Sequence, residues 1–216
     1  MPDYSEMNRS YVTVAERSCE EIVINKSRFI GYAAPCETEE QALSFLQSVR
    51  DEHKTATHHC YAYIIGENAS VMRYSDNGEP AGTAGIPIMD VMRNKGIVNC
   101  CIVVVRYFGG VLLGTGGLVR AYTQSSQAAV DSAGISRMEM TSDESCELPY
   151  SSWDKFRYAA EQHPVRIERI TYGSSIHFHL LVRSSVRDEV LNLLTDASGR
   201  KLVTKTETES FMPWKL

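Results

Sequence analysis

The sequence has no long hydrophobic run. No stretch approaches the ~18 apolar residues of a membrane span, and the longest uncharged apolar run, residues 97–105, has strand length. Residues 1–19 are polar, carry Asp3, Glu6 and Glu16, and lack the apolar core of a secretory signal. A cytoplasmic address and no membrane partner are therefore expected. A disulfide framework is missing too: the six cysteines, at 19, 36, 60, 100, 101 and 146, form no C-x-x-C pair, which suits free, mostly buried thiols in a reducing compartment. An excess of base is also missing. Twenty-two Lys and Arg stand against 27 Asp and Glu, a net charge of −5, which excludes attraction to nucleic acid by bulk charge. The 14 glycines and 7 prolines are scattered, so collagen-like and low-complexity readings fail. What is present is ordinary globular composition, 43% hydrophobic and 23% charged over 216 residues, enough for one large domain or two small ones.

Residues 1–17 read as a loose arm with helical leanings, and 20–34 as a strand or hairpin. Thr38 to Gln41 is a capping box, and Ala42, Leu43, Phe45, Leu46 and Val49 follow at helical spacing, so 39–52 is a helix. Residues 59–66 and 70–74 read as a strand pair, 75–85 as a polar glycine-punctuated loop, and 87–92 as a short helix opened by Pro87. The run 99–108 is apolar almost throughout, which predicts a strand buried on both faces. Residues 109–117 are a glycine loop and 118–133 a helix rich in small residues, ended by Gly134. Beyond it come a strand near 138–148, a helix capped by Ser151, strands at 165–172 and 176–182, a helix capped by Ser184 or Ser185, and a strand at 201–210. That β-α-β-β-α-β order is ferredoxin-like. The domains are placed at 1–136 and 137–216, and the fold class is α+β.

The strand–glycine loop–helix at 99–133 is the sharpest local feature. Gly109, Gly110, Gly114, Gly116 and Gly117 surround Thr115, and the spacing copies a phosphate loop with Thr115 where its lysine would stand. Two readings stay open: a phosphate held by backbone N–H groups, or tight packing and positive φ that require glycine. Arg106, at the end of the buried strand, is either an anion clamp or half of an ion pair with Asp76 or Glu79. Asp76 and Glu79 are the weak catalytic candidates, as an acid/base pair, but Asp-Asn-Gly is also ordinary turn chemistry. His58 and Cys60 share a strand face, yet no Cys/His cluster completes a zinc site, so neither metal nor cofactor is expected. His177 and His179 read as a solvated sheet face, and Trp153, Phe156 and Tyr158 as core and edge residues. No G-x-S-x-G or activated cysteine is signalled.

Taken together, Lys26-Ser27-Arg28-Phe29-Ile30, His58-His59-Cys60-Tyr61-Ala62-Tyr63, residues 75–85, Val103-Val104-Val105-Arg106-Tyr107-Phe108-Gly109-Gly110 and residues 113–122 resemble the YigZ/IMPACT family, in order and spacing across 20–130. The resemblance implies a first domain like domain 2 of a small-subunit ribosomal protein, with a left-handed βαβ unit, and a second like the ferredoxin-like modules of elongation factor G. Eukaryotic relatives resemble regulators of translation that compete for the activator of a starvation-responsive initiation-factor kinase, through an N-terminal module absent here. Asn77 stands where many relatives carry a second Asp.

The functional expectation is a translation-associated regulatory protein that binds RNA or the ribosome. Residues 91–130 carry Arg93, Lys95, Arg106 and Arg120 and no carboxylate, a basic, glycine-rich side within an acidic chain. Lys26, Arg28 and Arg73 join them as phosphate contacts, and 109–117 supplies N–H donors. Two alternatives stand beside this: an enzyme acting on a phosphorylated or nucleotide ligand between loops 75–85 and 109–117, and a regulator that binds only a protein partner.

Overall fold

A computed structural model describes residues 10–215. The chain divides into two compact units, Tyr11–Arg137 and Met138–Trp214.

The first unit opens with strand β1 (Ser10–Val14). The helical leaning expected for this arm is wrong over 10–14, and residues 1–9 lie outside the described residues. Tyr11 and Val14 are buried, and the β-branched Val12 and Thr13 fasten the strand beside 97–99: Val98 N donates to Val12 O (2.9 Å) and Thr13 Oγ1 to Asn99 O (3.0 Å). Strands β2 (Ser18–Ile24) and β3 (Ser27–Pro35) form a hairpin. Asn25 and Lys26 both have positive φ (46° and 65°), the two-residue turn that matches strand twist. Helix α1 (Glu39–Glu52) starts where the capping box places it: Gln41 N donates to Thr38 Oγ1, while the Gln41 side chain accepts from Glu37 N. Then come β4 (His58–Ile65), β5 (Val71–Ser75), α2 (Gly85–Lys95), β6 (Cys100–Tyr107) and α3 (Gly114–Ala133). Helix α2 begins two residues before Pro87. Helix α3 begins four residues before Leu118, so Gly114 to Gly117 are its first turn and not a loop.

The sheet order is β2-β3-β6-β4-β5, every neighbour antiparallel. Central β6 is buried on both faces because both are covered. Cys101, Val103 and Val105 pack with α1 residues Ala42, Leu46 and Val49. Cys100, Ile102 and Val104 pack with Ile88 and Met92 of α2 and Leu118, Ala121 and Tyr122 of α3. This layering carries the expected handedness. Strands β3 and β4 are both antiparallel to β6, hence parallel to each other, and β5 is likewise parallel to β6. The crossovers β3-α1-β4 and β5-α2-β6 run in equivalent directions but place their helices on opposite faces. They are therefore of opposite hand, and one of them is left-handed, against the strong right-handed rule.

The second unit contains β7 (Ile135–Leu148, entering from the first), α4 (Tyr150–Ala160), β8 (Val165–Tyr172), β9 (Ile176–Arg183), a 3-10 turn (Ser184–Val186), α5 (Arg187–Ala197) and β10 (Val203–Lys215). Strand β7 pairs with β1, β10 and β9, and β9 with β8, so the second unit's own strands run β10-β7-β9-β8. Trp153, Phe156 and Leu194 of the two helices pack with Leu148, Phe178 and Leu180. This is the ferredoxin-like arrangement. Ser151 and Ser184 or Ser185 are not the caps expected. Helix α4 follows Pro149, the serine turn precedes α5 as 3-10 helix, and neither helix has a side-chain cap.

Candidate functional site

The residues quoted from five separated segments meet at one end of the first sheet. Register places His58 and Phe29 on either side of Arg106. As an even-numbered residue of β6, Arg106 shares the face covered by α2 and α3. It is 5% exposed, and its guanidinium lies over the Phe29 and Phe108 rings, 5.3 and 5.4 Å from their centroids. Nη1 donates to Glu79 Oε1 (2.7 Å), Nη2 donates to Ser27 Oγ (3.3 Å), and Nε is buried without a partner. Of the two alternatives for Arg106, the structure has the ion pair, and its partner is Glu79. A clamp free to take an anion is not what stands there.

Glu79 is equally buried. Tyr122 donates to its Oε1 (2.8 Å), and His58 Nε2 lies 3.9 Å from the same oxygen. Cys60 Sγ donates to the Tyr122 hydroxyl (3.3 Å). Burial pushes the Cys60 thiol up to about 12, so it is no nucleophile at neutral pH. Burial, with Cys60 and Glu79 beside it, pushes the Tyr122 hydroxyl far above its ordinary value, so it remains a donor. Ser27 Oγ also accepts from Gly109 N (3.1 Å). Ser27 and Tyr122 received no role from the sequence. Their signal lay only in the quoted segments, because a serine and a tyrosine far apart in sequence announce nothing by themselves.

Asp76 has a different task. Its Oδ1 accepts from Ala84 N (3.0 Å) and Gly85 N (2.8 Å), and its Oδ2 from Gly82 N (2.8 Å). It caps α2 from outside the helix, satisfying N–H groups that have no intrahelical partner, and an acid/base role with Glu79 loses one member. Burial alone would raise the Asp76 carboxyl; the three N–H bonds outweigh it and hold it below 3.8. Its contribution is thus whole above the unfolded value of 3.8 and disappears as pH falls through the lower folded value. Asp76→Ala should cost about 1–2 kcal/mol at pH 7. Urea titrations should show this difference shrinking below pH 3.8, and a pH-independent difference would refute the assignment.

Helix α3 starts at the same end as α2. Glu79 and Pro80, just before α2, line a cavity with Gly114 and Thr115, and at the far ends Lys95 pairs with Asp131 (3.1 Å). Unlike α2, α3 has no side-chain cap, and Gly114, Thr115 and Gly116 are exposed. Its glycines differ in purpose. A Cβ on Gly109 would lie 2.0 Å from the Lys26 carbonyl carbon; Gly110 and Gly114 have φ of 82° and 68°; a Cβ on Gly117 would press on Leu113. Around Gly116 there is open space and no positive φ.

The expected basic face is divided. Arg28 pairs with Glu21 (2.8 Å), Arg73 with Glu39 (3.9 Å), Arg93 with Asp90 (3.7 Å), Lys95 with Asp131 and Arg106 with Glu79. Arg93 and Lys95 sit at the end of α2 remote from the glycines, and Arg73 on an edge strand. Lys26 and Arg120 are exposed and have no carboxylate partner among the described residues. Elsewhere, His58 Nδ1 is bound to Asn77 O (2.8 Å), His179 to Asp143 (2.7 Å) and His177 to Ser175 (3.2 Å). No group of three or more His, Cys, Asp or Glu residues positioned to hold a metal occurs among the described residues. No described helix is long and apolar enough to cross a membrane.

Comparison with known proteins places these segments in a wider context. Residues 25–130 match the Impact N-terminal domain, and 146–200 a domain of unknown function (DUF1949). The chain is 34% identical to IMPACT family member YvyE of Bacillus subtilis over 90% of both chains. It is 48% identical to IMPACT family member YigZ of Escherichia coli over 51% of this chain and 52% of that one. A crystal structure described only as that of a hypothetical protein is 31% identical, with a TM-score of 0.59, covering 92% of this chain and 98% of the other.

Proposed function

The chain belongs to the IMPACT family, and from that premise we propose that it is a translation-associated regulatory protein that binds RNA through the first turn of α3. Its backbone N–H groups receive a phosphate, with Lys26 beside Gly109 and Arg120 one turn beyond Gly116. The observation that carries this reading is Gly116. A glycine inside a helix costs about 1 kcal/mol relative to alanine, and here neither crowding nor φ accounts for it. Close approach of a ligand to the backbone does account for it. The resemblance of the family's eukaryotic members to regulators of translation supports the wider role. The basic contact is narrower than the seven residues expected, because five of them already neutralise carboxylates.

The test is fluorescence anisotropy of a labelled single-stranded RNA between about 50 and 200 mM salt. Lys26→Gln and Arg120→Gln should each weaken binding and lower the salt slope by about 1. Gly116→Asp places a carboxylate in open space at the helix start, where it stabilises the helix by about 0.3–1 kcal/mol and repels phosphate. Its melting temperature should not fall, while its RNA affinity drops at least ~tenfold, the equivalent of about 1.4 kcal/mol. Absence of salt-dependent binding by the unmodified protein, or unchanged binding by Gly116→Asp, would sink the proposal.

A further inference from the structure

Beside the open turn of α3 lies a cavity of about 420 Å3, a size that suits a small ligand. Its walls are largely carbon, from Pro80, Phe108, Leu112, Leu113 and Leu118. Two acceptors line it. The Glu79 side chain is 3% exposed, and its contacts with Arg106, Tyr122 and His58 all fall on Oε1, so Oε2 takes part in none of them. Oε2 is not among the sealed polar atoms that lack a partner, so a donor can reach it, and its residue lines the cavity. The second acceptor is His58. The oxygen of Asn77 can only accept, so Nδ1 carries the donated hydrogen. In the neutral ring Nε2 then holds a lone pair.

Adjacent acceptors in an apolar slot call for a flat ligand with adjacent donors. Among nucleobases only guanine presents two neighbouring donors, N1–H and N2–H, on its Watson–Crick edge. Adenine and cytosine offer a donor beside an acceptor, and uracil one N–H between two carbonyls. The Phe108 ring, 47% exposed, supplies a face for stacking, and Leu112, 86% exposed, stands at the rim. Proteins read an unstacked base in this way, by its hydrogen-bonding edge and by stacking.

We propose that this cavity takes the guanine base of one nucleotide unit, with its N1–H and N2–H on Glu79 and His58 and its phosphate on the first turn of α3. The phosphate half rests on the function proposed above; the base half does not. The nucleotide is either free or part of a single strand, and the chemistry recognised is the same.

Isothermal titration of the full chain with GMP, AMP, CMP, UMP and inorganic phosphate tests it, beside RNA oligonucleotides with and without guanine. GMP should bind at least ~tenfold more tightly than the other three nucleotides and than phosphate. His58→Phe should erase that preference. Leu112→Ser, a neutral change at an exposed position that leaves the fold alone, should weaken GMP and leave phosphate unchanged. If GMP binds no better than AMP, CMP, UMP or phosphate, the base subsite is overturned, even where RNA still binds and Gly116→Asp still abolishes it. A GMP preference without RNA binding supports the subsite with a free nucleotide as its source and removes the RNA reading. A preference shared by guanine-containing RNA supports it with a strand as its source.

Discussion

Glu79→Ala should be among the most damaging single substitutions in the first unit. Removing one partner of a buried ion pair leaves the other charge uncompensated, at a cost of about 3–5 kcal/mol. Arg106, 5% exposed, has little solvent to replace its partner. Tyr122 would lose its acceptor at the same time. The melting temperature should fall by on the order of 10 °C. Arg106→Met should also be costly, since Glu79 keeps only Tyr122 and the distant His58. Combining Glu79→Leu with Arg106→Met removes both charges and keeps apolar volume between Phe29 and Phe108. The double variant should be milder than the sum of its singles, Glu79→Leu and Arg106→Met, by about 1–3 kcal/mol. Urea and thermal unfolding of the four proteins measure this. Additive losses would mean that the two side chains act separately, and that the cluster is not the unit described.

The same pair marks how far the sequence could be read. Helix α1 and strand β6 were legible because their signals are local: a capping box in one, and in the other an apolar run that two covered faces demand. The start of α3 was not legible. Glycine is a poor helix former, so the reading began at Leu118, whereas packing of Leu118, Ala121 and Tyr122 on β6 carries the glycines into the helix. Strand β1 was missed because its ladder partner is β7, far along the chain, as are the residues near 97–99 that it also touches. At the site, Arg106 had two candidate partners three residues apart. What decides between them is that the Asp76 oxygens are already taken by the start of α2. The basic side failed for a related reason. Charge counted along 91–130 omits Asp90 and Asp131, just outside that window, and Glu79, 27 residues from Arg106. All three are adjacent in space and cancel three of its four bases.

The glycines of 109–117 give the second large effect, and they separate packing from binding within one segment. Gly109→Ala would set a Cβ 2.0 Å from the carbonyl carbon and 2.1 Å from the oxygen of Lys26, and 2.4 Å from the nitrogen of Ser27. These are backbone atoms of a tight turn already held at positive φ, so no side-chain rotation relieves the clash. The strand end must move, and the bond from Gly109 N to Ser27 Oγ goes with it, and with that the Ser27 contact to Arg106. A loss of about 3 kcal/mol is expected, at the upper end for overpacking. Gly116→Ala meets nothing and should stabilise by about 1 kcal/mol through helix propensity. Opposite signs from one methyl, seven residues apart, are the result to look for in thermal unfolding. A destabilising Gly116→Ala would show that the fold itself needs this glycine, and the ligand would lose its claim on it. A stabilising one leaves a helix start less stable than a single methyl could make it, which is where a phosphate would have to approach.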